Sequence, residues 1–228
     1  MEIKPLTAAQ LAAYIDHTLL KPDATAPEIE KLCAEARTHK FHSVCVNGTW
    51  VDYARSFLEE TEVKVTCVVG FPLGAMAGDV KRFEAEAAID EGAQEIDLVI
   101  NIGRLKDAQD KYVLRELRDV VEAADERPVK VILETGLLSN EEKTRAVELV
   151  LESGAQFIQT STGFNASGAT PQDVKLLRAL VGPKFGVKAC GGIQNTETAL
   201  AMIVAGASRL GTSAGIAILQ GLPPAKSQ

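Results

Sequence analysis

Four polar residues interrupt strand-like apolar runs: Asp97 in Glu95-Ile96-Asp97-Leu98-Val99, Lys130 in Val129-Lys130-Val131-Ile132-Leu133, Gln159 in Ile158-Gln159-Thr160, and Lys188 in Gly186-Val187-Lys188-Ala189. A charge inside such a run is either sheltered at a cost or used in the interior, where carboxylates and amines hold and move protons. An unpaired buried charge costs several kcal/mol, so a carboxylate–ammonium pairing is expected among Asp97, Lys130 and Lys188. On spacing alone a purely structural ion network explains the pattern equally well. Gln159 stands apart, because a neutral amide occupies a place where its surroundings suggest a more reactive group. It falls where the apolar run Phe157-Ile158 turns small and polar, through Thr160-Ser161-Thr162-Gly163-Phe164.

A second pattern lies in three late segments: Ser161-Thr162-Gly163, Gly191-Gly192 and Gly211-Thr212-Ser213. Glycines let a phosphate approach the backbone, hydroxyls donate hydrogen bonds, and a helix beginning after Ser213 would direct N–H groups at an anion. A single Gly-Gly is usually only a tight turn. Three such clusters on consecutive loops favour a phosphate site.

The elements that position these residues follow from periodicity. Strands are expected at Tyr14–Leu20, Phe41–Val46, Val63–Val69, Glu95–Ile100, Val129–Glu134, Phe157–Thr160, Phe185–Ala189 and Ser208–Gly211. Between them come helices: one capped by Asp23 or Thr25 with Ile29, Leu32, Cys33 and Ala36 on one face, then others at about Thr49–Leu58, Asp79–Glu91, Asp107–Asp125, Asn140–Ser153, from Pro171, and Thr196–Ala205. A short helical segment opens the chain. Eight strands alternating with helices predict an α/β fold of parallel strands, either doubly wound or closed into a barrel, and the regular repeat favours the (β/α)8 TIM barrel.

The chain has 228 residues, 46% apolar and 24% charged, which suits a globular protein with a large core. It reads as one domain, with Gly221–Gln228 as a flexible tail. A net charge of −7 opposes binding to nucleic acid or anionic membranes, so a phosphate ligand needs a local site. Trp50 and the tyrosines form no stacking platform for bases. No apolar run is long enough to span a bilayer. Cys33, Cys45, Cys67 and Cys190 lack metal or redox spacing, and no secretory segment is read ahead of them, so a reduced cytoplasmic protein is expected. His17, His39 and His42 are too dispersed to propose zinc.

Seven stretches together resemble the deoxyribose-phosphate aldolase family, in order and over essentially the whole chain. They are Tyr14-Ile15-Asp16-His17-Thr18-Leu19-Leu20-Lys21, Val69-Gly70-Phe71-Pro72-Leu73-Gly74, Glu95-Ile96-Asp97, Lys130-Val131-Ile132-Leu133-Glu134-Thr135, Ser161-Thr162-Gly163-Phe164, Val187-Lys188-Ala189 with Gly191-Gly192, and Arg209-Leu210-Gly211-Thr212-Ser213. The resemblance implies a barrel enzyme that cleaves 2-deoxy-D-ribose 5-phosphate to acetaldehyde and D-glyceraldehyde 3-phosphate with no metal or other cofactor. Its nucleophile would be a strand-six lysine that forms a Schiff base. It further implies a proton-relay role for Asp97, a second lysine at Lys188, substrate contacts from Cys45, Lys130, Glu134, Thr160 and Thr162, and phosphate contacts from Gly163, Gly191, Gly192, Gly211 and Ser213. Packing explains Cys45 as well as chemistry does, and Glu134 is either structural or substrate-orienting. Cys190 and Gln194 depart from the family pattern, which has a small and a basic residue there. The partners implied are a sugar phosphate and an aldehyde, and exposed helix faces suggest a homodimer.

The strand-six lysine position is Gln159, which matters more than those two departures. A carboxamide nitrogen, its lone pair delocalised into the carbonyl, is no amine nucleophile. Three readings stand: an aldolase inactive or strongly impaired by this residue, a residual aldolase using Lys188 as the amine, and a catalytically silent sugar-phosphate binder or regulator. Pairing with Asp97 would keep Lys188 protonated, which counts against the second.

Overall fold

The computed structural model describes residues 6–165 and 167–223. Its frame is a closed barrel of parallel strands in chain order: β1 (Ile15–Thr18), β2 (Ser43–Val46), β3 (Lys64–Val69), β4 (Glu95–Val99), β5 (Val129–Ile132), β6 (Phe157–Gln159), β7 (Gly186–Cys190) and β8 (Arg209–Thr212). Asp16 of β1 pairs with Ser43 on one side and Gly211 on the other, so the sheet closes without an open edge. The helices are α1 (Ala8–Ala12), α2 (Ala26–His39), α3 (Val51–Leu58), α4 (Gly78–Asp90), α5 (Ile102–Lys106), α6 (Asp110–Ala123), α7 (Asn140–Ser153), α8 (Pro171–Val181), α9 (Thr196–Ala205) and α10 (Gly215–Gln220). This is the (β/α)8 barrel that the strand–helix alternation predicts.

Local chemistry sets where helices begin. The Thr25 N–H donates to Glu28 Oε2 at 2.8 Å, so Thr25 rather than Asp23 caps α2, and Pro27 sits in its first turn. Ser139 opens α7 by the same reciprocal pattern with Glu142, and Asn195 Oδ1 accepts from the Thr198 N–H at 2.9 Å to open α9. Several expected boundaries shift. The helix expected at 107–125 is α6 alone, starting at Asp110, and an unexpected short helix, α5, capped by Asn101, precedes it, with Ala108 at φ +54° between the two. Glu134 and Thr160 lie just beyond their strands, Glu134 in the left-handed region at φ +57°. Of the tail expected at Gly221–Gln228, residues 224–228 lie outside the described residues, while Leu222 packs partly against the core.

Alternation along the strands divides the core into two layers. Ile15, Val44, Val46, Val65, Cys67, Ile96, Leu98, Val129, Val131, Ile158, Val187, Ala189 and Leu210 join the apolar cluster shared with the covering helices. The intervening positions face the barrel axis and are polar to an unusual degree: Asp16, Ser43, Thr66, Glu95, Asp97, Lys130, Gln159, Lys188 and Arg209, all buried.

Candidate active site

Six of these inward side chains form a closed ring of alternating charge. Lys188 Nζ lies 2.5 Å from Asp97 Oδ2 and 2.7 Å from Asp16 Oδ2. Asp16 Oδ1 is 3.1 Å from Arg209 Nη1, whose other carboxylate is Glu95 at 3.6 Å. Glu95 Oε2 and Asp97 Oδ1 are each 2.7 Å from Lys130 Nζ, which closes the ring. Strand register makes this possible, since Asp97 stands opposite Lys130, and Lys188 opposite Arg209. At its outer end Glu95 also meets His42 at 2.9 Å and Lys64 at 3.4 Å.

Burial alone would discharge these groups, but their partners outweigh it. Burial opposes charge on Lys188, yet Asp16 and Asp97 hold its pKa well above the usual lysine value. Lys130 is likewise raised by Asp97 and Glu95 against the effect of burial. Burial would raise Asp16 and Glu95, but Lys188, Lys130 and Arg209 hold Asp16, and Lys130, a His42 hydrogen bond and Arg209 hold Glu95, below the usual carboxylate range. The ring thus sets three cationic side chains against three carboxylates.

Gln159 stands opposite Lys188 in the β6–β7 register and is 2% exposed. Its Nε2 donates to the Ser161 carbonyl at 2.9 Å, which ties the amide to its own strand end rather than to Asp97. Gln159 Oε1 and Ser161 Oγ are buried without a hydrogen-bond partner. Two unsatisfied polar atoms so close in sequence mark a place where a polar ligand or ordered water gains hydrogen bonds.

Directly above, at the C-terminal mouth, a cavity of about 250 Å³ opens between the loops after β1, β6, β7 and β8. All five expected phosphate contacts, Gly163, Gly191, Gly192, Gly211 and Ser213, line it, as do Thr162, Lys21 and Gln194. Gly191 and Gly192 take φ +94° and +77°, and Gly163 takes +83°, so these backbones turn in a way side chains resist. Gly211 links cavity to ring: a Cβ there would lie 3.0 Å from Lys188 Cε.

The remaining candidates divide. Thr162 is on the cavity wall, whereas Cys45, Lys130, Glu134 and Thr160 are not. Cys45 Sγ is 3.8 Å from Asp97 Oδ2, and burial with the Asp97 charge pushes its thiol up. Lys130 is spent on the ring. Thr160 Oγ1 exchanges hydrogen bonds with the Cys190 backbone across β6 and β7. Asp16, Glu95 and Arg209 are not among the expected site residues, although each is a charge in a strand at the same inward parity as Asp97, Lys130, Gln159 and Lys188. Lys21 was detectable only by knowing that the loop after β1 folds over this mouth.

Asp16, His42 and Glu95 also bring one donor atom each to within 4.8 Å of one another. Arg209, Lys188 and Lys130 already neutralise those carboxylates, so a divalent cation would meet three positive charges there.

The DeoC/LacD family aldolase model matches residues 10–221. The deoxyribose-phosphate aldolase of Bdellovibrio bacteriovorus is 56% identical over 212 residues, spanning 93% of this chain and 96% of that protein. Deoxyribose-phosphate aldolase 1 of Bacillus licheniformis is 55% identical over 214 residues, with 93% and 96% covered. Among solved structures, the deoxyribose phosphate aldolase of Aeropyrum pernix, described as tetrameric, superposes with a TM-score of 0.88 at 33% identity, covering 94% of this chain and 91% of that one. Barrel, ring, mouth cavity and this extent of identity together place the chain in the DeoC/LacD family of aldolases, carbon–carbon lyases, among the deoxyribose-phosphate aldolases.

Proposed function

We propose that this chain binds 2-deoxy-D-ribose 5-phosphate at the mouth of the barrel, with its phosphate among Gly163, Gly191, Gly192, Gly211 and Ser213, and that it is inactive or strongly impaired in cleaving the sugar. The observation that carries this is Gln159. A retro-aldol step through a Schiff base needs an amine that attacks the carbonyl and then, as iminium, accepts the electrons of the breaking carbon–carbon bond. An amide does neither.

The ring supports the same reading. Each of its three carboxylates already has at least two cationic neighbours, so a further amine at position 159, beside Lys188, would find no spare negative charge. It would be driven toward its neutral, nucleophilic form by burial and by the neighbouring ammonium. The pocket is thus electrostatically suited to a lysine that the chain lacks. Lys188 is a poor substitute nucleophile, because Asp16 and Asp97 hold it as ammonium. In this account Asp97 retains its proton-relay role and Lys188 its part in depressing an adjacent amine.

Two further proposals accompany this reading. Val80 and Phe83, exposed three residues apart on α4, offer apolar surface for a homodimer, and a purely monomeric mass in sedimentation would remove that idea. Four cysteines held as buried free thiols suit a reducing, cytoplasmic setting. No helix among the described residues is long and apolar enough to cross a membrane.

The test combines calorimetry with trapping. The sugar phosphate should bind, and borohydride with acetaldehyde should leave no adduct above background. An adduct mapped to Lys188 would show a displaced nucleophile, and absence of binding would defeat the sugar-phosphate reading.

A further inference from the structure

Glu134 is fully buried, is not on the cavity wall, and holds a left-handed backbone at φ +57° that a non-glycine residue adopts at some cost. Its Oε2 accepts two hydrogen bonds from one residue, the Thr162 N–H at 3.2 Å and the Thr162 hydroxyl at 2.5 Å. With its proton committed to Glu134, Thr162 Oγ1 accepts from the Phe164 N–H at 3.1 Å. That second bond spans Gly163 and closes the turn in which Gly163 takes φ +83°. A Cβ on Gly163 would lie 3.6 Å from Gly191 Cα, so the turn also sets the spacing of two loops that line the cavity. The backbone reinforces the arrangement, since the N–H groups of Leu133 and Thr135 donate to the carbonyls of Gln159 and Thr160 at 3.0 and 2.9 Å.

A carboxylate beside an anion pocket is a liability in electrostatic terms, because like charge repels a bound phosphate. Its presence calls for a compensating gain, and the geometry supplies one. We propose that Glu134 is a positioning residue that shapes the anion-binding wall: by holding Thr162 through both its N–H and its hydroxyl, it fixes the Gly163 turn against Gly191 without touching the ligand. This rests on the reading of the mouth cavity as the phosphate site.

The two effects have opposite signs, which makes the test direct. Glu134→Gln removes the charge and the strong double acceptor together. If charge alone mattered, 2-deoxy-D-ribose 5-phosphate would bind more tightly. If positioning dominates, binding weakens by about tenfold or more, the order expected for a lost charge-assisted hydrogen bond. Calorimetry on the full chain measures this, with non-phosphorylated 2-deoxy-D-ribose as the comparison ligand, followed in the Gln159→Lys background as the KM-to-kcat split. The expected result is a loss confined to the phosphorylated ligand, expressed in KM with kcat within about twofold. Unchanged or tighter binding by Glu134→Gln, or equal loss for both ligands, overturns the proposal. If the parent binds neither inorganic phosphate nor the sugar phosphate, the phosphate-site reading itself has failed, an outcome seen before any variant is made. Should Glu134→Gln not fold, Glu134→Asp, which withdraws the carboxylate by one methylene, is expected to show the same selective loss, and its absence is equally contradictory.

Discussion

Lys188 Nζ lies 2.5 Å from Asp97 Oδ2, and each of the two has a second opposite charge on its far side, Asp16 for the lysine and Lys130 for the aspartate. A ring built this way is sensitive to the loss of any member. Asp97→Asn leaves two buried ammonium groups with one carboxylate fewer, and it is expected to lower stability by about 3–5 kcal/mol. Urea denaturation followed by circular dichroism reads this directly. A change below about 1 kcal/mol would mean that water or rearrangement compensates the missing charge.

The same ring predicts the pH profile of stability. Lys188 and Lys130 are raised above the ordinary lysine value of 10.5, so their contribution is complete below that pH and is lost as alkalinity passes their folded-state values. Asp16 and Glu95 lie below their ordinary values of 3.8 and 4.5, so their contribution is complete above those values and is lost as acidity increases. Burial also lowers His17 from 6.5, which removes stability as pH falls below that value. The thiols of Cys33, Cys45, Cys67 and Cys190 are all raised by burial above the ordinary 9.0, so the melting temperature should form a plateau between neutrality and about pH 9, fall above it, decline below pH 6.5 and fall steeply in strong acid. A maximum confined to acid pH would contradict the ring as described.

A second buried pair lies outside the site. Lys81 Nζ meets Glu116 Oε1 at 2.6 Å between α4 and α6, both side chains almost fully buried. Burial lowers the lysine and raises the glutamate, so desolvation outweighs the attraction of the partner at each end. Lys81→Met alone should cost about 3 kcal/mol or more by stranding the carboxylate, while Lys81→Met with Glu116→Leu should recover most of that loss. Thermal denaturation of the single and double variants checks the sign of the coupling.

Gln194 lines the mouth cavity as a neutral amide. Gln194→Arg adds a guanidinium within reach of a phosphate, and it is expected to tighten 2-deoxy-D-ribose 5-phosphate binding by roughly threefold to tenfold at low salt, diminishing as salt is raised. An unchanged dissociation constant would place the phosphate elsewhere.

The barrel was legible because its strands are nearly continuous in apolar residues and alternate with capped helices, and the four polar intrusions were legible as exceptions to that pattern, although sequence alone left open whether they are sheltered or used in the interior. The loop glycines were legible for a similar reason, since clusters of glycine and hydroxyl residues recur at three consecutive strand ends. The closure of the ring was not. Asp16 and Glu95 sit at the same inward parity as Asp97, but whether two inward charges meet depends on strand stagger around the barrel, which no single segment encodes. Glu134 was legible as a polar strand end only, because its left-handed turn and its grip on Thr162 arise from packing between neighbouring loops.

The central claim is that the site is intact except for its nucleophile, and Gln159→Lys tests it most directly. With 2-deoxy-D-ribose 5-phosphate as substrate, acetaldehyde release should rise by roughly a thousandfold or more over the parent chain, and borohydride should trap an adduct on residue 159. A Gln159→Lys protein that folds and binds the sugar phosphate but shows no gain in cleavage would contradict the account, placing the defect in the arrangement of Asp97 and Lys188 rather than in the missing amine.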